Sequence, residues 1–169
     1  MDRLDRYKVD LKEVANATLE RDWHLGDDFF GEVQSSDIQA GTVDVHLSVK
    51  PVGGALKMLF SISGEVQVAC DRCLEPMTLP VSVERELTAR WGEEYDDDGE
   101  TLTIPEGTGE VNVAWNIYEF ISLEVPMRHV HPEGECHGEV EELLEQYGAE
   151  EPGEEQEAPI DERWSELKK

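Results

Sequence analysis

Leu56-Lys57-Met58-Leu59-Phe60-Ser61-Ile62-Ser63-Gly64-Glu65-Val66-Gln67-Val68-Ala69-Cys70 decides the fold. Leu56, Met58, Phe60 and Ile62 share one parity, and Val66, Val68 and Cys70 continue it past Gly64. A period of two is that of a strand with one face on a core and the other in water. Gly64 marks a bulge or bend in it. Upstream, Val43, Val45, Leu47 and Val49 alternate with Asp44, His46, Ser48 and Lys50, and Pro51-Val52-Gly53-Gly54 supplies a turn. Downstream of Cys70-Asp71-Arg72-Cys73, alternation resumes in Val81, Val83, Leu87, Ala89 and Trp91, with Arg85 as the exception. Three successive alternating segments joined by turns predict an antiparallel meander and, with a few short helices, an α+β fold. Pattern alone leaves open whether the sheet closes into a barrel.

The flanks are shorter elements. Tyr7 to Leu11 reads as a short strand, Trp23-His24-Leu25 follows in an acidic stretch, and Phe29-Phe30 plugs the edge of the core. Glu93 to Glu100 is an acidic loop, and Leu102 and Ile104 mark another short strand. Asn112 is an N-cap candidate for a helix with Val113, Ile117, Phe120 and Ile121 on one face, ending before Pro126. A second short helix is expected over 140–146. One domain is expected over 1–148, followed by an acidic tail over 149–169. Residues 149–158 of that tail are expected to be disordered, and 161–167 to form a docking peptide with Trp164 and Leu167.

Charge narrows function. The 169 residues carry 14 Lys+Arg against 40 Asp+Glu, a formal charge of −26. Nucleic-acid binding rests on cations that neutralise phosphates, so a broad grip on RNA or DNA is disfavoured, and a basic protein partner fits the field. The bland reading of the same charge is solubility or a high-salt habitat. The sequence contains no run of about 18 apolar residues, so no membrane span is expected. Three cysteines and a charged start, Met1-Asp2-Arg3-Leu4-Asp5-Arg6, point to a reducing, cytoplasmic location. Oligomeric state is not readable.

Two of the three cysteines form Cys70-x-x-Cys73, at the bend between two strands; the third, Cys136, lies among His129, His131 and His137. Structural zinc takes four tetrahedral sulfur and nitrogen ligands. Cys70, Cys73, His131 and Cys136 are the preferred set, with His129 and His137 as substitutes for the imidazole. The competing reading makes Cys70 a core residue like Val66 and Val68. Motifs for zinc hydrolases, serine nucleophiles and phosphate loops are missing from the sequence, and no catalytic residue is assigned.

Gly64-Glu65-Val66-Gln67-Val68-Ala69-Cys70-Asp71-Arg72-Cys73-Leu74-Glu75-Pro76 resembles the signature of the bacterial YceD family, the large ribosomal RNA subunit accumulation proteins. The order of the other pieces is similar: the Tyr7–Leu11 strand, Phe29-Phe30, Asp96-Asp97-Asp98, the helix running through Tyr118-Glu119 to Pro126, the His/Cys segment, and Asp161-Glu162-Arg163-Trp164-Ser165-Glu166-Leu167. The arrangement looks most like the branch from Bacteroidetes-type bacteria. It departs from many relatives in having one cysteine and histidines where they have a second Cys-x-x-Cys-like pair. Cys70, Arg72 and Cys73 match the signature closely enough to transfer. The resemblance implies a ribosome-biogenesis factor that supports large-subunit (23S) ribosomal RNA without catalysis. It would act through a basic ribosomal protein or another assembly factor, in indirect association with the RNA. The alternatives are an RNA-contacting zinc module, using Lys57, Arg72, Arg85, Arg90 and Arg128, and a metal-assisted RNA-processing enzyme.

Overall fold

Two long strands, β3 (Ile38–Val52) and β4 (Ala55–Ala69), meet at a two-residue turn in the computed structural model of the chain. The structure describes residues 3–14, 17–132, 134–136, 142–143 and 146–147. At the turn, Val52 pairs with Ala55, and Gly53 and Gly54 take φ of 59° and 86°. Two positive φ values close a hairpin whose twist matches its strands, and glycine adopts them without strain. β5 (Pro76–Gly92) then returns along β4 from Ala69↔Pro76 to Leu56↔Ala89.

The expected meander is present and is extended on both sides. β2 (Leu19–Leu25) pairs antiparallel with β3 and covers its edge. β7 (Thr101–Pro105) adds beyond β5, and β6 (Asp96–Asp97) beyond β7, giving the order β2-β3-β4-β5-β7-β6. β7 runs parallel to β5, so the sheet is mixed. The reason is local: the chain reverses once into β6 and again into β7, and two reversals restore the direction of β5. The second reversal is fixed by Asp98, whose Oδ1 accepts the N–H groups of Glu100 at 3.0 Å and Thr101 at 2.6 Å. The sheet stays open, with β2 and β6 as its edges, so it is not a barrel. A small separate pair joins β1 (Lys8–Asp10) to β8 (Glu110–Asn112). β1 is shorter than the strand expected from Tyr7 to Leu11, because both flanks turn into 3-10 helix at Arg3–Tyr7 and Leu11–Val14.

Burial follows the alternation. Val43, Val45, Leu47 and Val49 of β3 and Leu56, Met58, Phe60, Ile62, Val66 and Val68 of β4 are buried. They pack under α1 (Asp27–Glu32) and α2 (Ala114–Glu124). Phe60 meets Phe120 of α2 edge-on at 5.3 Å between centroids, and Phe29 and Phe30 of α1 are buried together. Arg85 stays exposed at a core parity. Trp91, expected on the core face, is 37% exposed and lines a groove of about 440 Å³ with Leu11, Val14 and Leu56.

Gly64 is not a bulge, because the ladder passes from Val43↔Gly64 to Gly64↔Val81 without a slip. It is a place where strands come too close for a side chain: a Cβ there would lie 2.2 Å from the Thr42 carbonyl oxygen. The register slip of the β3–β4 ladder lies between Ile38 and Ala40. Helix α2 starts one residue later than expected; Asn112 Oδ1 accepts the Ala114 N–H at 3.0 Å, and Val113 is the cap residue. Buried Asn116 donates to Asp97 Oδ2 at 3.0 Å, tying α2 to the sheet's acidic edge. Of the helix expected over 140–146, only Glu142, Leu143 and Gln146 are described, and they are helical. The acidic stretch over 149–158 and the peptide over 161–167 lie outside the described residues.

Candidate metal centre at the β4–β5 tip

β4 ends at Ala69, and six residues, Cys70 to Glu75, carry the chain into β5. Cys70 N–H donates to the Glu75 carbonyl and Leu74 N–H to the Cys70 carbonyl, both at 2.9 Å. This turn holds Leu74 at φ 62°, in the left-handed region, and leaves the residue 77% exposed. The same turn aims the Arg72 N–H at Cys70 Sγ, 3.4 Å away. The two thiols thus converge because the backbone is folded back on the first of them.

The other half arrives from beyond α2. The helix stops at Glu124, before Pro126, and the following segment docks on the tip through Asp71. The Asp71 N–H donates to the His129 carbonyl at 2.9 Å, and Asp71 Oδ2 accepts the His129 N–H at 2.7 Å. Two residues on, the His131 N–H reaches Cys70 Sγ at 3.4 Å. Glu135 then donates to the Pro132 carbonyl at 3.1 Å, and this turn delivers buried Cys136.

The four preferred ligands come together: Cys70 Sγ, Cys73 Sγ, a ring nitrogen of His131 and Cys136 Sγ all lie within 4.8 Å of one another. His131 Nδ1 is 3.3 Å from Cys73 Sγ and 4.0 Å from Cys136 Sγ. Zinc–sulfur and zinc–nitrogen bonds of about 2.3 and 2.0–2.1 Å in a tetrahedron require a sulfur-to-nitrogen edge of about 3.6 Å. The observed pair brackets that edge. Three thiols and one imidazole are also the donor set that structural zinc prefers, so the residues fit the ion. Cys70 is fully buried, as the core reading required, yet its sulfur faces the cluster and not the sheet's apolar face alone.

His129 is not brought in as a ligand. Its Nδ1–H donates to the Pro126 carbonyl at 2.9 Å, and its Nε2 lies 3.6 Å from Asp71 Oδ1. Its role is structural, in the latch to Asp71. His137 lies outside the described residues. The latch itself is absent from the ligand-spacing pattern; the only sign of it in the sequence is a carboxylate placed between the two cysteines.

The cluster is electrostatically divided. Burial acts to raise the Cys70 thiol, but N–H groups of Cys73, Arg72 and His131 together with the Cys73 side chain outweigh it and pull the pKa down to about 6. Cys136 is pushed up to about 11, first by burial and then by its hydrogen bonds and proximity to the Cys73 and Cys70 sulfurs. Three sulfurs this close repel one another as anions, and a divalent cation between them would remove that repulsion.

The five cations considered for RNA contact are not gathered into one spot. Arg72 is at the tip, whereas Arg90 pairs with Thr103 at the opposite end of β5. Lys57 is bonded to Glu86 at 2.7 Å, and Arg85, opposite Phe60, has the parity of the other face. Among the described residues, no helix is long and apolar enough to cross a membrane.

A family model described as large ribosomal RNA subunit accumulation protein YceD matches residues 58–169. The chain belongs to the YceD family. The matched span contains the whole Cys70, Cys73, His131 and Cys136 cluster and the latch that assembles it. No curated protein and no solved structure matches the chain. The family description connects the protein with accumulation of the large ribosomal RNA subunit.

Proposed function

We propose that the protein is a non-catalytic assembly factor for the large ribosomal subunit. In this reading a zinc ion locks the β4–β5 tip to the segment after α2, and the acidic surface engages a basic ribosomal protein or another assembly factor in the cytoplasm. The observation that carries it is the YceD match over 58–169, which encloses the cluster. Zinc bound by Cys70, Cys73, His131 and Cys136 would supply cross-linking of two distant chain segments, as structural zinc does in small domains. The three sulfurs and one nitrogen fill a tetrahedral shell, which favours a structural over a hydrolytic role, since catalytic zinc keeps an open position. The charge of −26 supports a basic protein as direct partner and RNA as an indirect one.

The test is depletion of the protein in its own host, with large-subunit particles and mature 23S ribosomal RNA followed by gradient and blot. Both are expected to fall, and the Cys73→Ser variant is expected not to restore them. Affinity purification at low salt should recover basic ribosomal proteins, with recovery lost as salt screens exposed charge. Normal subunit profiles in depleted cells, grown cold and warm, would overturn the reading.

A further inference from the structure

The sequence Asp-x-His occurs twice, as Asp22-Trp23-His24 and Asp44-Val45-His46. The first copy lies on β2 and the second on β3. Their antiparallel register sets Asp22 opposite His46 and His24 opposite Asp44, a local two-fold arrangement. Both pairs are closed, with Nδ1 to Oδ1 distances of 2.7 Å. All four side chains lie on the sheet face away from the core, and they line a shallow concavity of about 490 Å³ with Ser61 and Ser63 of β4.

We infer that these paired residues form a second metal site, which takes a borderline divalent ion of the zinc, nickel or copper class through the two imidazole Nε2 atoms. A neutral ring whose Nδ1–H donates to a carboxylate keeps its lone pair on Nε2, and the carboxylate fixes the ring's orientation; metal-binding histidines are held this way. Among the described residues, neither His24 nor His46 has a hydrogen-bond partner at Nε2. The two histidines are diagonal neighbours on adjacent strands, a separation of roughly 7–8 Å that long side chains bridge. Imidazole donors select zinc, nickel or copper over magnesium or calcium, which want oxygen. Asp22 and Asp44 are occupied by the rings and orient them, so water completes the shell and the ion exchanges freely. Nothing at the Cys tip is required, because β2 and β3 are positioned by the sheet.

The test is zinc titration of the full-length protein by calorimetry, paired with metal analysis after equilibrium dialysis. The parent is expected to take a weaker equivalent in addition to the one at the thiols, and Cys73→Ser is expected to keep that weaker equivalent. His24→Ala and His46→Ala should each weaken it at least about tenfold, and Asp44→Asn by about 10–100-fold, as loss of an orienting carboxylate does. Unchanged thermal unfolding of these exposed-site variants serves as the folding control. The inference is overturned if the parent shows no weaker equivalent at millimolar zinc, or if the double variant His24→Ala/His46→Ala binds it undiminished.

Discussion

Replacing Asp71 by alanine removes a latch without touching a ligand. The carboxylate accepts the His129 N–H at 2.7 Å and stands 3.6 Å from the His129 ring. A hydrogen bond to a charged group contributes about 1.5–3 kcal/mol, and because the Asp71 side chain is 43% exposed the lower end applies. In Asp71→Ala the His129–Val130–His131 strip keeps three weaker ties to the tip: the backbone bond from the Asp71 N–H to the His129 carbonyl, the N–H to sulfur contact of His131, and the approach of His131 Nδ1 to Cys73 Sγ. Ordering that strip then becomes a cost of binding the ion. About 1.4 kcal/mol corresponds to a tenfold change, so zinc affinity should fall by about tenfold, within the range seen when outer-shell partners of a metal site are lost. Asp71→Asn keeps an acceptor oxygen and should lose less. The assay is competition for zinc against a chromophoric chelator, with Cys73→Ser as the ligand-loss control. Parent-like affinity in Asp71→Ala, beside lost binding in Cys73→Ser, would refute the claim that the latch preorganises the centre.

Other outcomes follow from the same geometry. Gly64→Ala places a Cβ 2.2 Å from the Thr42 carbonyl oxygen and 2.7 Å from Val43 Cα, both backbone atoms, so the strands must part; a loss of about 3 kcal/mol in urea unfolding is expected, and an unchanged midpoint would contradict it. Leu74→Gly relieves a left-handed residue at φ 62° whose side chain is in water. That conformation costs about 1–2 kcal/mol and the added glycine entropy about 0.5–1 kcal/mol. The melting temperature should therefore hold or rise slightly, and a drop of several degrees would mean that Leu74 packs. Zinc binding must expel the proton of Cys136, whose thiol sits at about 11, whereas Cys70, at about 6, has lost its proton by neutral pH. Apparent affinity should accordingly rise at least about tenfold per pH unit between pH 7.5 and 9, and a flat profile would show that Cys136 is not a ligand.

The long strands are legible in the sequence because burial on one face imposes a period of two, and β3, β4 and the centre of β5 keep it. β2 is less so: its half-buried positions are Leu19, Arg21 and Trp23, and the charged member breaks the apolar series. The arginine is accommodated by reaching out to Glu13 at 3.0 Å, a contact no pattern announces. The direction of β7 is equally hidden, since alternation carries no polarity and the reversal is held by the carboxylates of Asp97 and Asp98 accepting the N–H groups of the turn. At the tip, ligand spacing identifies Cys70, Cys73 and the His/Cys segment as partners. It puts His131 first but keeps His129 and His137 as substitutes, because His129 and His131 differ by two residues and share a parity. The choice is made by Asp71, which captures His129 from 58 residues away.

The two clusters differ in kind, and their positions on β4 keep them apart. From Ser61, beside the Asp–His pairs, to Cys70, at the tip, the strand runs about 30 Å at roughly 3.3 Å per residue. Their surroundings differ too. Cys70 and Cys136 are buried, while His24 is 67% exposed on its side chain. A buried set of three sulfurs and one nitrogen holds its ion by closure, whereas two imidazoles in water release theirs. Residues 22, 24, 44 and 46 also precede the stretch matched by the YceD family, so the match speaks for the tip and not for the paired histidines. These differences fix what purification must find. Protein prepared without added zinc or chelator should carry about one ion per chain, all of it lost in Cys73→Ser and none of it lost in His46→Ala. Loss of that resident ion in His46→Ala would mean that the assignments of closed and exchangeable sites are reversed.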